Sequence, residues 1–201
     1  FLDDHCARLM NSTRIIGLEH NFSTGNIKKF INVLTVKNEV DACNLKILLV
    51  GGSESTLDIL CLNPLFPDRK LYRNGAKVIT YEYEREFPQA KTLNMLSSYL
   101  AYREAARKYA YVALLVDDAG NVREGTRTNF FAIQGATLVS PTDEKILPGV
   151  IRAKVLEIAN QKYRRQFENN IDETFLEFAI RTKSGDLKWV EQSAVLTPEN
   201  N

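Results

Sequence analysis

The longest apolar run of this chain, Tyr109–Val116, limits most strongly what the chain can fold into. It is far too short to cross a bilayer as a helix, and it is rich in residues that favour a pleated surface. It therefore reads as a buried strand. Asp117-Asp118-Ala119-Gly120-Asn121 follows directly and has the composition of a hairpin turn. Ahead of the run, Asn94–Tyr109 predicts a long helix with Leu96, Leu100, Ala101 and Ala105 on its inner side. A helix, a buried strand and a hairpin in succession read as a strand-rich layer with helices packed on it.

The first part of the chain reads as a smaller α+β unit. Asp3 or Asp4 can cap a helix that runs to about Ile16 and stops at Gly17, with Leu2, Cys6 and Leu9 on one face. Thr24 can cap a second helix carrying Ile27, Phe30, Ile31 and Leu34 as a stripe. Leu45–Val50, Leu57–Leu62 and Lys77–Tyr83 read as strands, the third with Ile79, Tyr81 and Tyr83 on one face. Asn63-Pro64 through Pro67-Asp68 is turn-forming. Beyond the central hairpin, Phe130–Ile133 and Thr137–Val139 form another through Gly135. Gly149–Asn160 is a helix with Val150, Val155 and Ile158 inward. A strand near Arg164–Phe167, a short helix near Ile171–Glu173 and a strand at Phe175–Arg181 complete the reading. The boundary falls near Phe87-Pro88, giving a small domain over 1–87 and a larger one over 88–201.

Composition sorts the function classes. A formal net charge of +1 gives no reason to expect a nucleic-acid surface. Hydrophobic residues at 44% and charged residues at 25% are ordinary for a soluble globular protein, and the expectation is non-membrane. Cys6, Cys43 and Cys61 lack CxxC spacing, so they read as free thiols of a reducing cytoplasm. No HExxH, CxxC or carboxylate cluster argues for a metal site, and no G-x-G-x-x-G or Walker loop argues for a nucleotide. His5 and His20 read as structural. The chain opens Phe1-Leu2-Asp3-Asp4 at the edge of a helix, which reads as a fragment or as the loss of an upstream segment.

Three features carry chemistry, in order. Lys91 lies between a strand-like run and a helix; Glu124 is strand-borne in Arg123-Glu124-Gly125-Thr126-Arg127-Thr128-Asn129; Ile146-Leu147-Pro148-Gly149-Val150-Ile151-Arg152 opens a helix. An amine at an element boundary can form a Schiff base, a carboxylate can hold a pyridine nitrogen protonated, and N–H groups at a helix start can hold a phosphate. Those are the demands that pyridoxal 5'-phosphate (PLP) makes of a protein. Taken singly, each residue has a plainer reading: a solvated Lys, an outward strand Glu beside Arg123, a core leucine at 147.

Together with His5-Cys6-Ala7-Arg8-Leu9-Met10-Asn11-Ser12, similar to an H-x-x-R-L-x-x-S helix, these segments resemble the fold-type IV PLP enzymes. That group holds the branched-chain aminotransferases, D-amino acid transaminases and aminodeoxychorismate lyases. Lys91-Thr92-Leu93-Asn94 looks nearer the latter two, since the branched-chain enzymes usually place a Tyr shortly after the Lys. The resemblance implies a smaller N-terminal α/β sandwich and a larger strand-rich pseudo-barrel with helices. It implies that Lys91 forms the Schiff base and shuttles the proton, and that Glu124 partners the pyridine nitrogen. Arg8 then binds phosphate, with a surface ion pair to Asp4 as its plainer reading. Gly149, Val150 and Ile151 supply the phosphate-binding helix start, Leu147 packs on the ring or is plain core, and Asn129 orders its loop. The family usually has Thr where Ile151 stands. A late F-L-T-x-T-like strand is matched by Phe175-Leu176-Glu177-Phe178-Ala179, which leaves Ala179 only its backbone N–H, with Thr182 as a possible substitute.

The resemblance further implies a homodimer and a two-stage cycle that moves an amino group from an amino acid to a 2-keto acid. Two alternatives stay open: a 4-amino-4-deoxychorismate lyase, and a non-catalytic homologue. The family's first strands and its usual closing segments have no counterpart here, so the chain reads as either incomplete or diverged.

Overall fold

The computed structural model describes residues 1–134, 137–168, 174–181 and 187–194, with side chains described to Gln161 apart from 135–137. The chain forms two compact units, residues 1–67 with 90–92, and residues 68–89 with 93–201. The helix–strand mixture expected from the pattern is present in both.

In the first unit, α1 (Leu2–Ile15) begins at Phe1 without a side-chain cap. Asp3 and Asp4, expected as caps, lie inside its first turn, where their charge complements the helix dipole instead. Gly17 follows at φ 64, the left-handed conformation that ends helices. α2 (Thr24–Lys37) is capped one residue earlier than expected. Ser23 Oγ accepts from the Asn26 N–H at 3.1 Å while Asn26 Oδ1 accepts from the Ser23 N–H at 2.9 Å. β1 (Asn44–Val50) and β2 (Thr56–Leu62) pair antiparallel, with Leu45 opposite Cys61 and Ile47 opposite Ile59. Leu45, Ile47, Leu57 and Ile59 pack on a buried cluster of Cys6, Ile27 and Ile31. Phe30 falls off that stripe and is 43% exposed.

The second unit opens with α3 (Arg69–Asn74), an unexpected helix that follows the turn-forming segment directly. Asp68 caps it by accepting the Lys70 N–H at 2.8 Å, and Gly75 at φ 71 ends it. β3 (Val78–Glu82) then crosses through α4 (Leu96–Arg107) to β4 (Val112–Val116), its parallel neighbour. β5 (Val122–Gly125) returns antiparallel, and the sheet order is β3-β4-β5. Ala101 and Ala105 of α4 meet Ala110, Ala113 and Leu115, with Ile79, Tyr81 and Tyr83 packed against them. The alanines on that face admit a close helix–sheet approach. Leu96, expected inward, is the first residue of α4 and is 67% exposed.

β6 (Ala132–Gln134) and β7 (Thr137–Val139) form a short hairpin, and a 3-10 turn at Asp143–Lys145 leads to α5 (Val150–Glu168). The strand expected near Arg164–Phe167 is instead the last part of α5. No glycine or proline interrupts residues 150–168, and an established helix propagates through Lys, Arg and Gln more easily than it stops. Ile158, expected inward, is 55% exposed. The helix expected near Ile171–Glu173 lies outside the described residues. β8 (Thr174–Arg181) pairs antiparallel with β9 (Leu187–Ala194). Among the described residues, no helix is long and apolar enough to cross a membrane.

Candidate active site

In the first unit, α1 sets Arg8 and Ser12 one turn apart. Ser12 is buried, and its hydroxyl works in both directions. It donates to the Arg8 carbonyl at 2.8 Å and accepts the Lys91 backbone N–H at 3.0 Å. Ala90 beside it is 1% exposed. The bond to the Lys91 N–H ties residues 90–92 to α1 within the first unit, while the Lys91 residue itself stays exposed. Arg8 Nη2 lies 3.3 Å from His5 Nδ1. A guanidinium can only donate, so Nδ1 accepts and the imidazole is neutral. Burial, then the Arg8 charge, holds His5 below its ordinary value, which agrees with that reading. Burial also draws Arg8 down, though a guanidinium remains charged.

In the second unit, Glu124 is 4% exposed, so it is not an outward strand residue. Strand alternation turns Arg123 the other way, to Asp117 and, at 3.8 Å, Glu84. Glu124 Oε1 is 2.9 Å from Arg85 Nε, an ion pair in which that N–H is not aimed at the oxygen. Glu124 Oε2 accepts the Leu147 N–H at a long 3.4 Å. Leu147 is held from its other side too, because its carbonyl accepts Asn129 Nδ2 at 2.8 Å. Asn129 in turn faces Glu124 across a β-bridge.

Two glycines make this packing possible. A Cβ on Gly149 would come within 1.8 Å of Asn129 Oδ1, and one on Gly125 within 2.3 Å of Thr128 Oγ1. Val150 is buried at the start of α5, followed by Ile151 at 61% exposure. The first N–H groups of a helix have no acceptor within it, which leaves those of Val150 and Ile151 suited to an anion. Arg152 is buried and pins this helix start. Its Nε donates to Ser140 Oγ at 2.8 Å, Nη2 to the Pro141 carbonyl at 2.6 Å, and Nη1 pairs with Asp143. Ala179 lies in β8 opposite Trp189, and Thr182 lies outside the described residues.

Sequence reasoning missed four participants. Ser12 stands within the quoted helix motif, but its link to Lys91 spans 79 positions and carries no local signal. Arg85 sits in an unpatterned loop. Arg152 looks like an ordinary helix cation. Thr126 is 1% exposed, and its hydroxyl has no hydrogen-bond partner among the described residues. Glu84, Asp117 and Asp118 come within metal-ligand spacing, with Arg123 already paired to two of them.

Residues 1–179 match the amino-transferase class IV family, and the chain belongs to it. It is 28% identical over 172 residues to the D-alanine aminotransferase of Bacillus licheniformis, covering 80% of this chain and 60% of that protein. It is 25% identical over 173 residues to a "Probable branched-chain-amino-acid aminotransferase" of Rickettsia bellii, covering 79% and 59%. The chain thus spans about 60% of the length of these curated relatives. The fold resembles that of a "Putative 4-amino-4-deoxychorismate lyase" from Legionella pneumophila, with TM-score 0.71, 24% identity and coverage of 81% and 65%. It also resembles a T.th. branched-chain amino acid aminotransferase complexed with N-(5'-phosphopyridoxyl)-L-glutamate, with TM-score 0.67, 23% identity and coverage of 80% and 58%. These likenesses show a structural match to fold-type IV enzymes over about four-fifths of this chain.

Proposed function

We propose that the protein is a PLP-dependent aminotransferase, active as a homodimer, that moves an amino group from an amino acid to a 2-keto acid. The observation that carries this reading is the buried Glu124 carboxylate, gripped by Arg85 and the Leu147 N–H within a chain of class IV sequence. The residues present fit the cofactor. The second unit offers an anionic group, a buried hydroxyl at Thr126 and a helix start for a phosphate; the first offers a primary amine and a guanidinium. When bound, PLP supplies the electron sink that makes the α-proton of an amino acid removable.

Lys91 is the amine that would hold the cofactor and, once released, carry the proton between the substrate Cα and C4'. Glu124 would favour a proton on the ring nitrogen, since a neighbouring carboxylate favours the cationic ring. Arg85 and the Leu147 N–H sit against that carboxylate. Arg8 would offer a phosphate its guanidinium, and Val150 and Ile151 would offer one their N–H groups. Ile151 and Ala179 contribute no hydroxyl there.

Borohydride reduction of the PLP-loaded protein followed by peptide mapping tests the assignment. A pyridoxyl group on the Lys91 peptide is expected, and its appearance on another lysine, or on none, refutes it. Lys91→Ala is expected to abolish turnover without loss of fold. A second reading, aminodeoxychorismate lyase, is favoured by the likeness to the Legionella protein. Pyruvate release from aminodeoxychorismate, without need of a keto-acid acceptor, would replace the first reading by the second.

A further inference from the structure

The β1–β2 hairpin is closed at one end by residues 51–55 and open at the other, where two cysteines meet. Cys61 lies in β2 opposite Leu45, and Cys43 stands one residue ahead of β1, outside the hydrogen-bonded ladder. Their Sγ atoms are 3.3 Å apart. Both are half-buried, so a small solute can reach them, whereas Cys6 is fully buried in the core of the same unit. Asn44 Nδ2 donates to the Asn63 carbonyl at 3.5 Å and steadies the same end.

We propose that Cys43 and Cys61 form a dithiol that a peroxide closes to an intrachain disulfide across the open end of the hairpin. The sulfurs have roughly 1 Å to travel before bonding, and no ladder pairing of β1 with β2 holds Cys43. The chemistry balances in two displacements. One thiolate attacks a peroxide oxygen, the O–O bond breaks, and a sulfenic acid and water result. The second thiolate attacks that sulfur, the S–O bond breaks, and a second water leaves as the S–S bond forms. Two thiols are oxidised and one hydrogen peroxide is reduced. The hydrogen bond with Cys43, then burial, raises the Cys61 thiol above its ordinary range. The inference stands on the first unit alone and is independent of the cofactor assignment.

Trypsin separates the two residues, since Lys37, Lys46 and Arg69 place Cys43 on peptide 38–46 and Cys61 on peptide 47–69. The whole protein is treated with a small excess of hydrogen peroxide, alkylated under denaturing conditions and mapped. The expected product is about 2 Da lighter and contains the two peptides joined. It offers one alkylatable thiol in place of the three free thiols of the reduced protein, and dithiothreitol restores them. Cys43→Ser is expected to lose the joined peptide and leave Cys61 oxidised singly. Peptides alkylated separately, separately over-oxidised to sulfinic acids, or joined between two chains would each overturn the proposal.

Discussion

Arg85 and Glu124 show how much a single buried residue can control. Their side chains are 16% and 5% exposed, so little solvent screens the pair. Removing the cation takes a counter-charge from a buried carboxylate. Arg85→Met is therefore expected to destabilise the protein by about 3 kcal/mol, read by denaturant unfolding. The double variant with Glu124→Gln should recover part of that loss, because the neutral amide no longer needs a counter-charge. If the two losses simply add, the ion pair is not a working one. None of this was legible from sequence. Glu124 stood out through its motif and strand setting, but its partner lies in a loop with no periodicity, and proximity across a fold leaves no trace in spacing.

At the scale of elements, the β4–β5 hairpin turns on Asp117. Its carboxylate is held below the ordinary value of 3.8 chiefly by the Asn121 side chain, then by the Asn121 backbone N–H and the Arg123 charge. A depressed native value means that the unfolded chain takes up the proton first. The stabilisation is complete above about pH 4 and is lost as the pH falls toward the lower native value. Asp117→Asn should thus lower the melting temperature at neutral pH and flatten its decline in acid. An unchanged acid limb would show that other carboxylates govern it. The turn itself was readable from Asp117-Asp118-Ala119-Gly120-Asn121, as were the strands on either side. The misreadings cluster at ends: Ser23 rather than Thr24 caps α2, and α5 runs on through Glu168. The short α3 carried both its signals, Asp68 before and Gly75 after, but a six-residue helix is too brief for periodicity to reveal. Leu96 and Ile158 were misplaced because a helical stripe drifts with length, and only packing decides which end of it is covered.

At the scale of the whole chain, the two units have separate buried clusters, one around Ile27 and one around Ala101 and Leu115. Ile27→Ala removes a fully buried side chain and is expected to cost about 2–5 kcal/mol. Amide hydrogen exchange should place that loss in β1, β2 and α2 while β4 keeps its protection. Equal loss in both units would mean that they unfold as one cooperative body. The sequence pattern located both cores, because alternation in the strands and the Ile27–Ile31 spacing mark what is buried. It could not say that residues 90–92 belong with the first unit.

One hydroxyl contributes to that allegiance. Ser12 ties its proton into its own helix and offers a lone pair to the main chain of Lys91. The amine's address is therefore inherited from the opening helix rather than from the strand that precedes it in sequence. Whatever tilts or frays that helix will carry the lysine with it.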